Sequence, residues 1–413
     1  MVEQSPRKYP EPTPGRRRLH EIDLLRFVAA LAVVLLHYSF AHASNESEVD
    51  FAPELGAVTR YGYLGVDLFF MISGLVVFMS LWGRRPSAFL ISRISRLYPA
   101  YWVAVTLTAL TVVVLGARGR NDVTLPQYLV NLTMFPATIN VEYVEGVYWT
   151  LWSEWRFYAL LFVFALFGLT VRRTRLLLWG WLTATVLLEL LPVPAEAVVA
   201  LVVQPLYSHY FIAGMVLHLV HRSGWTRELA VLFGLCHLNA SYQAVQLAQL
   251  RNRTEATGLD PVVVVLVVTA IFLVMALVAS GALARWSGPA LLPFGEMTYP
   301  LYLVHATVGY ALFNLFTPGV NRWVLLVGVV VGMCALSWLI SRTVEARLQP
   351  LLRTGLTRAW AATRGRTRVV HRRTSTAGPA LVRSTRSPVA TATHPEPGPK
   401  RHDDPHPRHP TRY

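Results

Sequence analysis

Charge is scarce in this chain: Asp, Glu, Lys and Arg together make up 15% of its 413 residues, against 54% hydrophobic. That balance, with a mean hydropathy of +0.41, excludes an ordinary water-soluble globule. Cysteine is scarcer still. The 2 cysteines, Cys236 and Cys334, both fall in apolar runs and have no paired spacing, so neither a disulfide framework nor a zinc or redox pair is available. Three other signatures are missing: the Walker A loop, G-x-G-x-x-G and H-E-x-x-H. Their absence argues against a nucleotide-driven pump and against a zinc hydrolase. No metal site is expected.

What the chain has instead is long apolar runs. Ten stretches can cross a hydrocarbon core, near 22–41, 62–82, 98–116, 147–169, 174–192, 203–221, 228–250, 261–281, 299–316 and 321–341. The reading is therefore an all-α, polytopic integral membrane protein of about ten transmembrane helices. The first run is too long for a signal-peptide core and is followed by no small-residue cleavage pattern, so it is read as a retained helix. The seventh is the least apolar, since it holds His237, Asn239, Gln243, Gln246 and Gln249.

The loops give an orientation. Arg16 to Arg18, Arg84, Arg85, Arg93, Arg96, Arg172, Arg173, Arg175, Arg222, Arg227 and Arg285 collect on one side. Glu46, Glu48, Asp50, Glu54, Glu142, Glu145 and Glu196 collect on the other. Arg118 with Arg120 and Arg251 with Arg253 are the exceptions. By the positive-inside rule both termini are cytoplasmic. Three segments follow: a basic cytoplasmic stretch 1–20, a membrane domain 21–351, and a basic tail 352–413 too poor in large apolar residues to bury a core. From Arg353 onward the tail carries 13 Lys plus Arg and 3 acids. Attraction to anionic lipid, or simply fixing topology, accounts for that charge without nucleic acid, for which no folded module is present.

Within the first run lie Arg26 and His37. Ionisable groups at that depth face protein or water, not lipid. Eleven residues at 100° place both on one helix face, about 16 Å apart along the axis. Four further segments accompany them in order: YGYLGVDLFFMISGLVVF, FLISRISRLYPAYW, YWTLWSEWRFY and FGEMTYPLYLVH. Together, over roughly residues 20–345, they resemble the acyltransferase 3 family of membrane O-acyltransferases. The chain departs from that pattern where members often carry Glu-x-Pro, since Glu345 is followed by Ala346 and Arg347, with proline only at Pro350.

The resemblance implies transfer of an acyl group, acetyl by default, from acyl-CoA as co-substrate to a hydroxyl of a sugar, cell-surface glycan or glycosylated natural product, with no bound cofactor. Counting depth along the spans puts His37, Asp67 and Glu154 toward the outer side as a catalytic set. His37 is the general base, and either carboxylate could orient it. The same count puts Arg26, Arg93, Arg96, Tyr302 and His305 toward the cytoplasmic side, where guanidinium groups suit the phosphates of coenzyme A. The oxyanion donor stays open among Tyr148, Trp149, Ser73 and an arginine. A plasma-membrane setting and a high-GC bacterial source fit the Arg- and Ala-rich style. The rival reading is a transporter or flippase of a glycan or lipid-linked solute, in which the same buried groups relay protons; no inverted repeat is evident in support of it.

Overall fold

The computed structural model describes residues 19–41, 53–116, 122–191, 196–317 and 319–375. The basic segment 1–18, the acidic stretch Glu46 to Asp50, Arg118 with Arg120, and residues 376–413 lie outside the described residues. Among the described residues there are helices and turns and no strand.

The main helices are α1 (Glu21–Leu36), α2 (Gly65–Leu81), α3 (Pro86–Leu115), α4 (Trp149–Leu166), α5 (Val171–Leu190) and α6 (Ser208–Ser223). Then come α7 (Arg227–Glu255), α8 (Pro261–Ala279), α9 (Leu292–Phe316), α10 (Arg322–Ile340) and α11 (Ala346–Ser375). Local chemistry marks many of their starts. Thr170, Thr226, Asp260 and Asn321 each accept a backbone N–H of the first turn of α5, α7, α8 and α10, satisfying donors that have no partner inside the helix. Pro86 and Pro261 occupy first-turn positions, where a missing N–H costs nothing. Gly116 ends α3 in the left-handed conformation at φ 63°.

Each of the ten expected spans coincides with a helix. Among the described residues, 6 helices are long and apolar enough to cross a membrane: Glu21–Phe40, Glu54–Leu81, Pro86–Leu115, Val199–Ser223, Pro261–Ala279 and Arg322–Thr363. The chain is thus a polytopic membrane protein. Two polar residues of α7 meet neighbouring helices: His237 Nε2 is 2.9 Å from Thr269 Oγ1 of α8, and Asn239 Nδ2 donates to Glu189 Oε2 of α5 at 2.7 Å. Interhelical contacts of this kind lower the cost of polar side chains in an apolar setting. Outward faces of α8 and α10 are aliphatic, with Val262, Leu266, Leu273, Val324, Val327 and Val331 all exposed.

The site is positioned by two seams. In the first, α2 crosses α6 at Gly74 and Gly214, where the backbones touch. In the second, α1 lies against α9, and α9 in turn against α3 and α10. Phe27 of α1 meets Phe294 of α9 at 5.1 Å between ring centroids, and Tyr38 meets Phe313 at 5.0 Å.

Two compact units divide the chain, residues 1–360 and 361–413, and the first holds everything described below. The segment from residue 352, which composition marks as a disordered tail, opens within a helix, Ala346–Ser375. Leu, Ala and Arg have high helix propensity, which favours helical backbone there.

Candidate active site

His37 stands where α1 changes character. The helix passes at Leu36 into a π-helical turn, His37–Ala41, a device that redirects side chains at the cost of poorer backbone geometry. The turn aims both His37 and Tyr38 at α9. His37 Nδ1 lies 2.8 Å from the Val33 carbonyl oxygen and 3.2 Å from His305 Nε2, with the two rings 5.0 Å apart and edge-on. Tyr38 donates its hydroxyl proton to the His305 carbonyl at 2.6 Å.

The carbonyls fix the tautomers of the neutral rings. A ring nitrogen facing a carbonyl oxygen carries the proton, so Nδ1 of His37 donates toward Val33, and Nδ1 of His305 donates to Tyr302 at 2.9 Å. His305 Nε2 then accepts from His37 Nδ1–H. The lone pair of His37 is left on Nε2, the orientation a general base requires.

Three cavities lie in series, and His37 lines the last of them. The first, of about 550 Å³, opens among Asp23, Arg26, Arg96, Glu296, Arg342 and Glu345. Gly295 lines it because a Cβ there would come 2.7 Å from Asp23 Cβ. The second, about 100 Å³, shares Arg26, Arg96, Gly295 and Tyr299 with the first and adds Arg93, Glu154, Ser73 and Tyr158. Ser73 Oγ donates to Glu154 Oε1 at 2.8 Å, while the Arg93 guanidinium sits 5.8 Å from the Phe89 ring centre and 6.0 Å from that of Tyr158. The third cavity, about 630 Å³, contains His37, Asp67, Arg60, Arg251, Glu255, Tyr63, Trp149 and Tyr207. Val66 and Tyr302 line both the second and the third. Tyr302 is held there by its hydroxyl, which accepts from Thr150 Oγ1 at 3.0 Å and donates to the Val147 carbonyl at 3.3 Å.

Arg26, Arg93 and Arg96 therefore meet, as their positions imply, and His37 shares a chamber with Asp67, whose carboxylate accepts from Tyr210 Oη at 3.2 Å. Two residues are elsewhere than the depth count puts them. His305 belongs with His37 and not with the arginines, because α9 starts at Leu292 rather than near 299, which carries residue 305 about 20 Å along the helix. Glu154 belongs with the arginines and not with His37. The segment before α4 is packed into the bundle, with Glu145, Val147 and Tyr148 all buried, so α4 starts beside the His37 chamber at Trp149 and carries Glu154 on to the second cavity. Tyr302 is the divider between the two regions instead of a member of the arginine set alone.

Sequence reasoning missed several site residues. Glu145, 0% exposed, reads as one more acid in an outer loop; nothing in its spacing signals burial. Tyr38 is one aromatic among many. Arg251 did leave a trace as an exception to the charge asymmetry, and the structure explains it: the guanidinium lies 4.6 Å from the centre of the Tyr63 ring in the chamber of His37.

Comparison with known proteins decides the family. Residues 19–342 match the acyltransferase domain of the acyltransferase 3 family. The chain belongs to that family. The exopolysaccharide production protein ExoZ of Rhizobium meliloti (strain 1021) is 30% identical over 326 residues, covering 74% of this chain and 95% of the relative. No solved structure matches. As an acyltransferase 3 protein the chain carries an apparatus for acyl transfer, and its Arg26 and His37 lie in successive chambers of one bundle.

Proposed function

We propose that the protein takes an acyl group, acetyl by default, from acyl-CoA on the cytoplasmic side and transfers it to a hydroxyl of a sugar unit in a cell-surface polysaccharide or glycosylated small molecule held in the His37 chamber. One observation carries this: a chamber lined by three arginines adjoins a chamber lined by a histidine across a wall shared by Val66 and Tyr302. The positive-inside pattern assigns the arginine mouth to the cytoplasm. Arg26 and His37 are about 16 Å apart by helical rise, of the order of an extended pantetheine arm. Arg26, Arg93 and Arg96 would hold the phosphates, with the thioester reaching toward Tyr302.

His37 Nε2 takes the proton of the acceptor hydroxyl as its oxygen attacks the thioester carbonyl, and returns it to the departing thiolate. As the ring becomes positive, its Nδ1–H bond to His305 Nε2 strengthens, which spreads the charge over two imidazoles. Among the three neutral candidates for the oxyanion donor, our reading takes Trp149. The Ser73 and Tyr148 hydroxyls are given to Glu154 and to the Leu303 carbonyl, whereas the Trp149 indole N–H has no hydrogen-bond partner among the described residues and its ring lines the His37 chamber. Trp149 and Tyr207, 5.4 Å apart, with Tyr63 in the same cavity, offer apolar faces on which a pyranose can stack. The relative named for exopolysaccharide production supports a glycan acceptor.

The test uses inside-out vesicles from cells that make the protein and contain its acceptor, supplied with radiolabelled acetyl-CoA. Label is expected in glycan. Passage of unmodified solute with the label left on coenzyme A would decide for the transporter reading. Within the same assay, Arg96→Ala is expected to raise the KM for acetyl-CoA about tenfold with little change in kcat, since one charge-assisted contact is worth about 1.5 kcal/mol. Arg93→Ala should do the same. A fall in kcat at unchanged KM would remove these arginines from donor binding.

A further inference from the structure

The turn of α9 that carries His305 is held by three side chains from outside the helix. Tyr148 donates its hydroxyl to the Leu303 carbonyl at 3.4 Å, Tyr38 donates to the His305 carbonyl at 2.6 Å, and the Thr307 N–H donates to Glu145 Oε2 at 2.9 Å. Leu303 C=O and Thr307 N–H are the pair that an uninterrupted α-helix joins to each other. Here each also has a side-chain partner, and both partners come from the short re-entrant segment ahead of α4. Residues Leu301 to Thr307 are almost wholly buried, so water cannot substitute for those contacts.

Glu145 is the costliest member of this frame. Its side chain is 0% exposed inside a membrane bundle, a placement that carries a large desolvation penalty and is kept where something else depends on it. What depends on it here is the rotation of one helical turn. His305 sits between the two atoms that Glu145 and Tyr148 hold, and its Nε2 must reach His37 Nδ1 across 3.2 Å.

The opposite side of the turn is fixed by an absence. Gly309, one helical turn beyond His305, lies where the Tyr38 ring passes, and a Cβ there would meet Tyr38 Cε1 at 2.5 Å. Only glycine lets Tyr38 through to the His305 carbonyl.

We propose that Glu145 is a positioning residue: through its hydrogen bond to the Thr307 amide, with Tyr148 and the Gly309 cleft completing the frame, it sets the His305 imidazole against His37 and so holds the base in its working orientation. This rests on the assignment of His37 as base. It makes the acid a clamp on helix geometry instead of the direct carboxylate partner of a triad.

The experiment measures initial rates of label transfer in the same vesicles at varied acetyl-CoA, normalised to folded protein. Glu145→Ala is expected to lower kcat about 100-fold with the acetyl-CoA KM unchanged, the size of loss that a shift of about 1 Å in a catalytic group produces. Glu145→Gln keeps an acceptor oxygen for the Thr307 amide and should recover to within about fivefold of wild type. Gly309→Ala, which displaces Tyr38 and leaves Glu145 alone, should also lower kcat at constant KM. Tyr148→Phe, which keeps the ring and removes a single hydrogen bond, should cost about threefold to tenfold. Should Glu145→Ala fail to fold, the Tyr148→Phe and Gly309→Ala proteins decide. Wild-type kcat in both, a Gln variant as inactive as the Ala one, or losses confined to KM would overturn the proposal. Wild-type vesicles that transfer no label would instead sink the functional reading on which it stands.

Discussion

Replacing His37 with alanine is expected to remove acyl transfer while leaving the protein folded and able to bind acetyl-CoA. The expected loss in kcat is about 10²- to 10⁴-fold, the range that a positioned general base supplies. Binding survives because Arg26, Arg93 and Arg96 line different cavities from the one that holds His37. Folding should survive because the ring borders a cavity, so its removal enlarges an existing space instead of opening a new one in the core. His305→Ala is expected to be milder, about 10- to 100-fold, since it removes the group that orients the base and shares its charge but not the base itself. Rates of label transfer and equilibrium binding of acetyl-CoA to the purified variants separate these outcomes. Turnover near wild type in His37→Ala would refute the assignment.

The largest structural effect is expected from Gly214→Ala. A Cβ on Gly214 would overlap the Met71 carbonyl oxygen and stand 2.6 Å from Leu75 N and 2.7 Å from Gly74 Cα. All three are backbone atoms in the middle of α2, so no rotamer change relieves the clash. The helices must separate along the whole seam, and overpacking of this kind costs about 3 kcal/mol or more. Gly74→Ala meets the Phe211 carbonyl in the same way. Since α2 carries Val66, Asp67, Phe70 and Ser73 into the cavities, the seam also sets their width. Size-exclusion profiles and thermal denaturation in detergent should show aggregated or strongly destabilised protein. Gly234→Ala and Gly332→Ala are the controls: a Cβ at either meets nothing within 4 Å, and a mid-helix alanine should be neutral or stabilising by up to about 1 kcal/mol. A normal melting temperature for Gly214→Ala would show that the seam is not as tight as the geometry states.

Helix positions and the Arg26–His37 stripe were legible in the chain because both depend on short-range periodicity: apolar runs of membrane length, and two ionisable groups three turns apart within one of them. Gly74, beside Ser73 in the second apolar run, is the kind of small residue that lets helices approach, although nothing in the chain names Gly214 as its partner. What a linear reading could not supply was depth across the bundle. Hydropathy hid the start of α9, because Pro293, Gly295, Glu296 and Thr298 lower the apolar signal of its first two turns, and so His305 was placed with the wrong cluster. Glu154 was misplaced for the converse reason: a loop that dips between helices moves the next helix without leaving any mark on its composition. Glu145, at the bottom of that dip, looks identical in sequence to Glu142, which precedes it on the surface.

The wall formed by Val66 and Tyr302 bears on the economy of the whole cell. An open bore through a bundle of this kind would short-circuit the proton-motive force. On the proposed reading, with these two side chains closing the bore around the pantetheine arm, the thioester carbonyl would meet the acceptor hydroxyl at the septum itself. The acyl group would then change compartment while ions and coenzyme A stay where they were, driven by the thioester alone.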